Sequence, residues 1–177
     1  PGDSHAATLD VACRYFPVEG RTGALSFFRP SRASRNLLRA RRLLQVGIDT
    51  PVPLARIERT TPSRSSWLVT EFVADVVDLD QIVLSLLPQL ERRALHKVKT
   101  GMVDVAVQLF ACLDDARLYH RDLKASNILI TNWNAEDAPA RPMLVDLDGL
   151  HPRRWGNRRQ RWQPLIRLAA SLREYPA

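Results

Sequence analysis

The stretch LYHRDLKASNILI, residues 118–130, sets His120, Arg121, Asp122, Lys124 and Asn127 ahead of an apolar run. A strand needs no such polar preface. The stretch suits a loop that holds a carboxylate and an amide at a fixed separation. A second short run, MLVDLDGL at 143–150, ends in Asp146 and Asp148. If the two runs pair as strands across the polar turn NWNAEDAPARP, Asn127 and Asp146 face one divalent cation. Mg2+ prefers hard oxygen donors and takes only one or two protein carboxylates, leaving the rest of its shell to water and phosphate. Asp122 then accepts a hydroxyl proton, and Lys124 neutralises a transferring phosphoryl group. That is a phosphoryl-transfer arrangement: the protein positions the nucleophile, clamps phosphates and stabilises charge. Asp148 takes the metal role instead if DGL sets the register. Asp146 is preferred because the apolar run MLV ends directly at it. His120 reads as a structural hydrogen-bonder, and His5, His96 and His151 as isolated surface residues.

The elements that must position these groups follow from pattern. LDVACRYF, residues 9–16, reads as a strand, and residues 17–30, with Pro17, Gly20, Gly23 and Pro30, as a loop. Ser31 or Ser34 caps a helix to about Val46, with Ala33, Leu37, Ala40 and Leu44 as its apolar face. Arg32, Arg35, Arg39 and Arg42 form a second stripe on it, either meeting anionic lipid and acidic sugars or lying solvated. Gly47 is its stop. Residues 52–73 read as a hairpin turning through TTPSRSS. DLDQIVLSLL suggests a short helix. A longer helix over about 89–115 carries Leu95, Val98, Met102, Val105, Leu109 and Cys112 on one face, with Gly101 weakening it. The tail reads as a basic loop, RRWGNRRQRW, before an amphipathic helix. That loop either stacks bases or sits at a membrane interface, or else packs its tryptophans while its arginines are solvated.

The chain has 177 residues, enough for one domain or two small lobes, and its 45% hydrophobic content supports a core. No apolar run approaches the ~20 residues of a membrane-spanning helix. PGDSHAATLD has no apolar segment of the kind a signal peptide carries. Two cysteines, Cys13 and Cys112, imply no disulfide framework and favour a reducing compartment. Each reads as a small buried apolar residue. The net charge is +7, and 23 of the 26 basic residues are arginine. This reflects either codon usage or an anionic partner: phosphate, acidic sugar, lipid headgroup or nucleic acid. No nucleic-acid motif is present, so no specific nucleic-acid partner is expected.

The pattern H-R-D-L-K-x-x-N, followed by D-L-D in a later strand, resembles the protein-kinase catalytic loop and its metal-binding segment. SRASRNLLRARRLLQVGIDTPVPLA is similar to the region of lipopolysaccharide kinases where a helix ends in G-I-x-x-P-x-P. WLVTEFVADVVDL resembles their hinge. The resemblance to these Kdo and core heptose kinases spans roughly residues 9 to 175 and is strongest at 118–150. It implies an α+β, protein-kinase-like two-lobe fold, with an incomplete N-terminal lobe over 1–73 and a mostly helical C-terminal lobe over 74–177. It implies ATP and Mg2+ as cofactors and a sugar hydroxyl of the lipopolysaccharide inner core as acceptor. Asp122 becomes the catalytic base, Lys124 a phosphate contact, and Asn127 and Asp146 the metal ligands. Glu71, Phe72, Val73 and Ala74 run past the adenine. The expected partner is the lipopolysaccharide core or another anionic sugar or lipid, met by a cytoplasmic monomer with peripheral contact at the inner membrane.

Three departures stand against that pattern. No glycine-rich loop precedes the first strand, so the N-terminal part reads as truncated or degenerate. No lysine occurs before Lys97, so the nucleotide-anchoring lysine is missing in every register, and Cys13 stands in its place. The helix at 31–46 holds no Asp or Glu, and Leu38 takes the position of its usual ion-pair glutamate. The last two losses agree, because a buried glutamate without its lysine is a costly unpaired charge. Arg14 turning inward is the available substitute, although a guanidinium is broader than an ammonium. An active kinase, a pseudokinase scaffold for an anionic partner, and a kinase for protein Ser/Thr or a small metabolite all stay open.

Overall fold

The computed structural model describes residues 9–17, 30–59, 65–133, 138–154 and 156–173. His5, most of the 17–30 loop, most of the TTPSRSS turn, Trp155 and the last residues of the tail lie outside that description. The molecule mixes helix and sheet.

Three strands open the fold: β1 (Val11–Phe16), β2 (Pro53–Glu58) and β3 (Ser66–Glu71), antiparallel in the order β1-β3-β2. Val11 lies opposite Glu71 and Phe16 opposite Ser66. Between β1 and β2 runs α1 (Arg32–Gln45). Its N-cap is Ser31, whose hydroxyl accepts from the Ser34 backbone N–H at 3.0 Å, satisfying a donor the helix cannot satisfy itself. Gly47, at φ 77°, carries the chain out of the helix in the left-handed conformation that glycine tolerates best. The buried face comprises Ala33, Ser34, Asn36, Ala40 and Leu43, with Leu37 and Leu44 only half-buried. It is thus rotated from the expected apolar stripe, because the helix also meets a polar loop, described below.

A second antiparallel sheet has the order β4-β6-β7, from Val76–Asp78, Ile128–Thr131 and Arg141–Leu144. The two short runs singled out in the sequence do pair, with Ile128 opposite Leu144. β5 (Leu118–His120) and β8 (Leu150–Pro152) form a separate two-stranded ribbon. The expected short helix is an irregular winding. One α-turn, α2 (Leu79–Gln81), is capped by Asp78, followed by a π-turn at Ile82–Leu86 and a 3-10 turn at Leu87–Gln89. The long helix α3 (Arg92–Asp115) buries Met102, Val105, Leu109 and Leu113. The last helix, α4 (Arg158–Arg173), begins earlier than the sequence suggests. Asn157 accepts from the Gln160 N–H at 3.1 Å and starts it, so RRQRW is helical rather than loop, and buried Pro164 sits inside it.

The main core joins Ala40 and Leu43 of α1 and the adjacent Ile48 to Leu109 and Leu113 of α3 and to Leu118, Leu123, Ile128, Ile130 and Leu144. A smaller cluster of Phe16, Ala33 and Leu68 seals α1 against the first sheet. Burying a side chain of this size stabilises by about 1.5–3 kcal/mol, so α1 is held from two sides. The segment after it is also hydrogen-bonded to β7, through Leu144 N–H to the Asp49 carbonyl at 2.8 Å. Cys13 is exposed, contrary to expectation, as are all of residues 11–15 on the outer strand β1; Cys112 packs half-buried against the main core.

Candidate active site

The β6–β7 pairing brings the ends of both strands together, and Val145 N–H donates to the Asn127 carbonyl at 2.9 Å. Asn127 and Asp146 therefore flank one sheet end. Asp146 has φ 54°, in the left-handed region that a short polar side chain enters more readily than most. The Asn127 amide donates to the Asp122 carbonyl at 3.3 Å. That bond uses the amide nitrogen and leaves the amide oxygen available as a hard donor.

The catalytic-loop candidate and the DLDG loop are tied by a third element. Arg121 N–H donates to the Gly149 carbonyl at 2.8 Å, continuing the β5–β8 ribbon. His120, only 1% exposed, lies within hydrogen-bonding distance of the Asp146 carbonyl through Nε2 at 2.9 Å. A carbonyl only accepts, so Nε2 carries the proton, and Nδ1 is left buried without a partner among the described residues. A Cβ at Gly149 would lie 2.7 Å from the His120 ring, so the glycine is required by close approach. Burial pushes the His120 imidazole below the ordinary histidine value, against the opposing pull of the Asp146 carbonyl and of the Asp146 and Asp122 charges. His151 is lowered too, by burial and then by the charges of Arg39, Arg121 and His120. It is half-buried with its ring 5.8 Å from that of Tyr119, whereas His96 is exposed as expected.

The carboxylate of Asp122 is about half exposed, with Lys124 Nζ 3.7 Å away. Such an open pair adds little stability, so both groups stay available to a ligand. Asp146 Oδ1 is out of water and lacks a well-directed hydrogen bond among the described residues, although Arg14 Nη2 approaches to 2.9 Å as an ion pair. Arg14 does turn toward the site, and its guanidinium also covers the Phe16 ring at 5.2 Å. A carboxylate and an amide oxygen supplied at one end of the same sheet are hard donors of the kind a small cation takes, and Arg14 occupies the carboxylate here. Among the described residues no three His, Cys, Asp or Glu side chains gather into a metal cluster.

Asp148 lies in a different environment from Asp146. Asn36 donates to its Oδ1 at 2.9 Å, Arg32 donates to its Oδ2 through Nε at 3.2 Å and also through Nη2, and Arg39 Nη1 lies 3.7 Å from Oδ1. Burial pushes this carboxyl up, but the hydrogen bonds from Arg32 and Asn36 and the charges of Arg32 and Arg14 outweigh it, so its pKa lies below the ordinary value. Burial lowers the Arg39 guanidinium, opposed by Asp148 and reinforced by Arg35 and Arg121. Two arginines of the expected surface stripe thus face inward, while Arg35 and Arg42 stay exposed. Leu38 is 61% exposed and faces away from the site, so it does not occupy a glutamate-like position. Asn36 does face the loop, and the sequence reading passed over it. A polar residue at the centre of a buried helix face was the available signal.

Residues 72–75 connect β3 to β4, with Phe72 exposed and its N–H donated to the Asp10 carbonyl at 3.0 Å. Glu71 is turned back on its own sheet, where its carboxylate accepts from Val52 N–H at 2.9 Å. The backbone groups of Val73 and Ala74 make no hydrogen bond among the described residues. In the tail, Trp162 is 54% exposed rather than packed.

The sequence model of the lipopolysaccharide kinase (Kdo/WaaP) family matches residues 24–176. Among solved structures, the chain is similar to WaaP in complex with acyl carrier protein, with TM-score 0.62 and 23% identity, covering 78% of this chain and 58% of that one. It is also similar to the yeast RNA polymerase II CTD kinase CTDK-1 complex, with TM-score 0.48 and 18% identity, covering 82% and 40% respectively. The likeness to WaaP is one of fold, and the fold here is α+β and kinase-like. This chain spans 58% of the length of that WaaP chain. No curated protein matches it. Among the described residues no helix is long and apolar enough to cross a membrane.

Proposed function

We propose, since the chain belongs to the lipopolysaccharide kinase (Kdo/WaaP) family, that it transfers a phosphoryl group from ATP to a sugar hydroxyl of the lipopolysaccharide inner core. One observation carries this reading: Asp122, Asn127 and Asp146 are linked through Asn127, which bonds the Asp122 carbonyl by its side chain and Val145 by its backbone. Asp122, open to solvent, accepts the proton of the acceptor hydroxyl. Lys124 balances charge on the transferring group. Asn127 and Asp146 hold Mg2+, which when bound screens phosphate charge. Arg14 reaches the same end of the site from β1 and contacts phosphate in place of the missing lysine. The unengaged backbone of Val73 and Ala74 meets the adenine, with Glu71 and Phe72 shaping that edge. On this reading the lobes divide near residue 73, and the protein works as a cytoplasmic monomer touching the inner membrane peripherally. The test is turnover of Mg·ATP with purified lipopolysaccharide core as acceptor, native against Asp122→Ala. A general base contributes typically 10²–10⁴-fold, so a loss in that range is expected. Equal turnover ends the assignment. Protein Ser/Thr substrates and small sugars, run as parallel acceptors, decide the substrate class.

A second reading, a pseudokinase scaffold for an anionic partner, is favoured by the Arg14–Asp146 ion pair at 2.9 Å and by Cys13 at the expected lysine position. A guanidinium on the metal carboxylate competes with a cation there. Thermal stabilisation by millimolar Mg·ATP separates the two readings, because a ligand of the folded state raises the melting temperature. A shift excludes the nucleotide-free scaffold; no shift favours it.

A further inference from the structure

We propose that a cleft between the end of α3 and the start of α4 binds a phosphate group, separately from any phosphoryl transfer. Its volume is about 430 Å³, and five arginines line it against two aspartates, Asp114 and Asp115. The charges are unevenly matched. Asp114 takes both Arg153, at 2.7 Å, and Arg161, at 3.2 Å. Arg154 and Arg158 are exposed, and their guanidinia make no ion pair among the described residues. Arg117 also lines the cleft, at the turn that leaves α3. Like charges held this close repel unless an anion joins them. Guanidinium groups take phosphate oxygens through paired, charge-assisted hydrogen bonds. The first residues of α4, a helix of 16 residues, line the same cleft, so the positive end of the helix dipole lies beside it. The volume falls within the roughly 300–1,000 Å³ of small-molecule sites.

The cleft stands at the other end of the β5–β8 ribbon from the catalytic loop. β5 leaves the Arg117 end and reaches Asp122 past His120, while β8 runs back from Gly149 to Arg153. Three strand residues span about 10 Å, so a phosphate here is not the one handled by Asp122 and Lys124. Four of the five arginines belong to the basic tail segment that the catalytic reading leaves unused. Trp162, Leu165 and Ile166, all more than two-fifths exposed, continue the surface along α4. A lipid headgroup and a soluble phosphate ester both offer the required chemistry.

The test uses the whole chain without nucleotide and so does not depend on catalysis. Calorimetric titration with glycerol 3-phosphate probes the soluble source. Co-sedimentation with phosphatidic acid vesicles, against phosphatidylcholine vesicles, probes the headgroup. Binding to either supports the proposal and names the source. The Arg154→Gln/Arg158→Gln double variant should weaken it roughly tenfold or more, from the loss of hydrogen bonds to a charged group. Arg154→Lys/Arg158→Lys keeps the charge and serves if the first variant misfolds; it should retain part of the affinity. Asp146→Asn, at the other end of the ribbon, should leave binding within about twofold. Absence of binding in both assays, unchanged binding in the glutamine variant, or equal loss in Asp146→Asn overturns the proposal.

Discussion

Arg32, Asn36 and Arg39 stand at i, i+4 and i+7 on α1, and all three reach the carboxylate of Asp148. This clamp joins the helix to the loop that presents Asp146. Asp148 acts here as a positioning residue. Asp148→Asn and Arg32→Gln, singly and together, should show a coupling on the order of 1 kcal/mol in unfolding free energy, as for contacting polar residues. On the proposed function they should also lower kcat more than they raise KM for ATP. Additive effects on stability and rate would remove the clamp from the account. His120 predicts a pH response. Its folded-state pKa lies below the ordinary 6.5, so the unfolded chain binds a proton that the folded chain refuses. Stability is then complete above about pH 6.5 and falls as pH drops toward the folded value. His151 adds in the same direction. Melting temperature should therefore decline from about pH 7.5 to 5.5, and His120→Gln should flatten that decline more than His151→Gln does. Asp122, Asn127 and Asp146 were legible because each lies within a short contiguous motif. Asp148's partners were not, because they depend on the rotation of a helix 112 residues away in sequence from the loop it meets.

α3 is long, and Gly101 lies in its interior with open space where a Cβ would go. Its φ is not in the left-handed region, so nothing local calls for glycine. Gly101→Ala should raise the unfolding free energy by about 0.5–1 kcal/mol, measured by denaturant titration with an unchanged slope. A loss would mean that the position meets something the described residues do not include. Gly149 is the contrasting case, since any Cβ there collides with buried His120. The helices whose apolar spacing is regular were legible in the sequence, and so was the pairing of β6 with β7. The start of α4 was not. Arginines 158, 159 and 161 carry no apolar periodicity, so RRWGNRRQRW reads as a loop, and Pro164 lies inside the helix. The cap by Asn157 settles the boundary, through a local hydrogen bond that no hydrophobic pattern reports. In the same way the π-turn at Ile82–Leu86 follows from packing against the core, with Ile82 fully buried.

At the scale of the molecule, α1 is the element common to both hydrophobic clusters. Ala33 packs with Phe16 and Leu68 of the first sheet, while Ala40 and Leu43 belong to the main core with α3 and β7. Asn36 and Arg39 of the polar clamp on Asp148 lie between these two contacts along the same helix. Releasing the first sheet from α1 therefore uncovers apolar surface on a helix whose other end is still anchored, and losing α1 frees the loop that carries Asp146. Cooperative unfolding follows from that shared helix. A variant keeping Trp67 as its sole tryptophan reports on the first sheet, where its ring lies 5.1 Å from Tyr15. Its fluorescence transition in urea should coincide with the far-ultraviolet dichroism transition, which α3 and α4 dominate. Leu43→Ala removes a fully buried side chain and should cost about 2–5 kcal/mol. It should move both transitions together to lower urea and weaken any Mg·ATP stabilisation in step. A Trp67 transition that precedes the dichroism transition in the native chain would mean that the sheet melts independently. The coupling of α1 to the site would then rest on Asp148 alone.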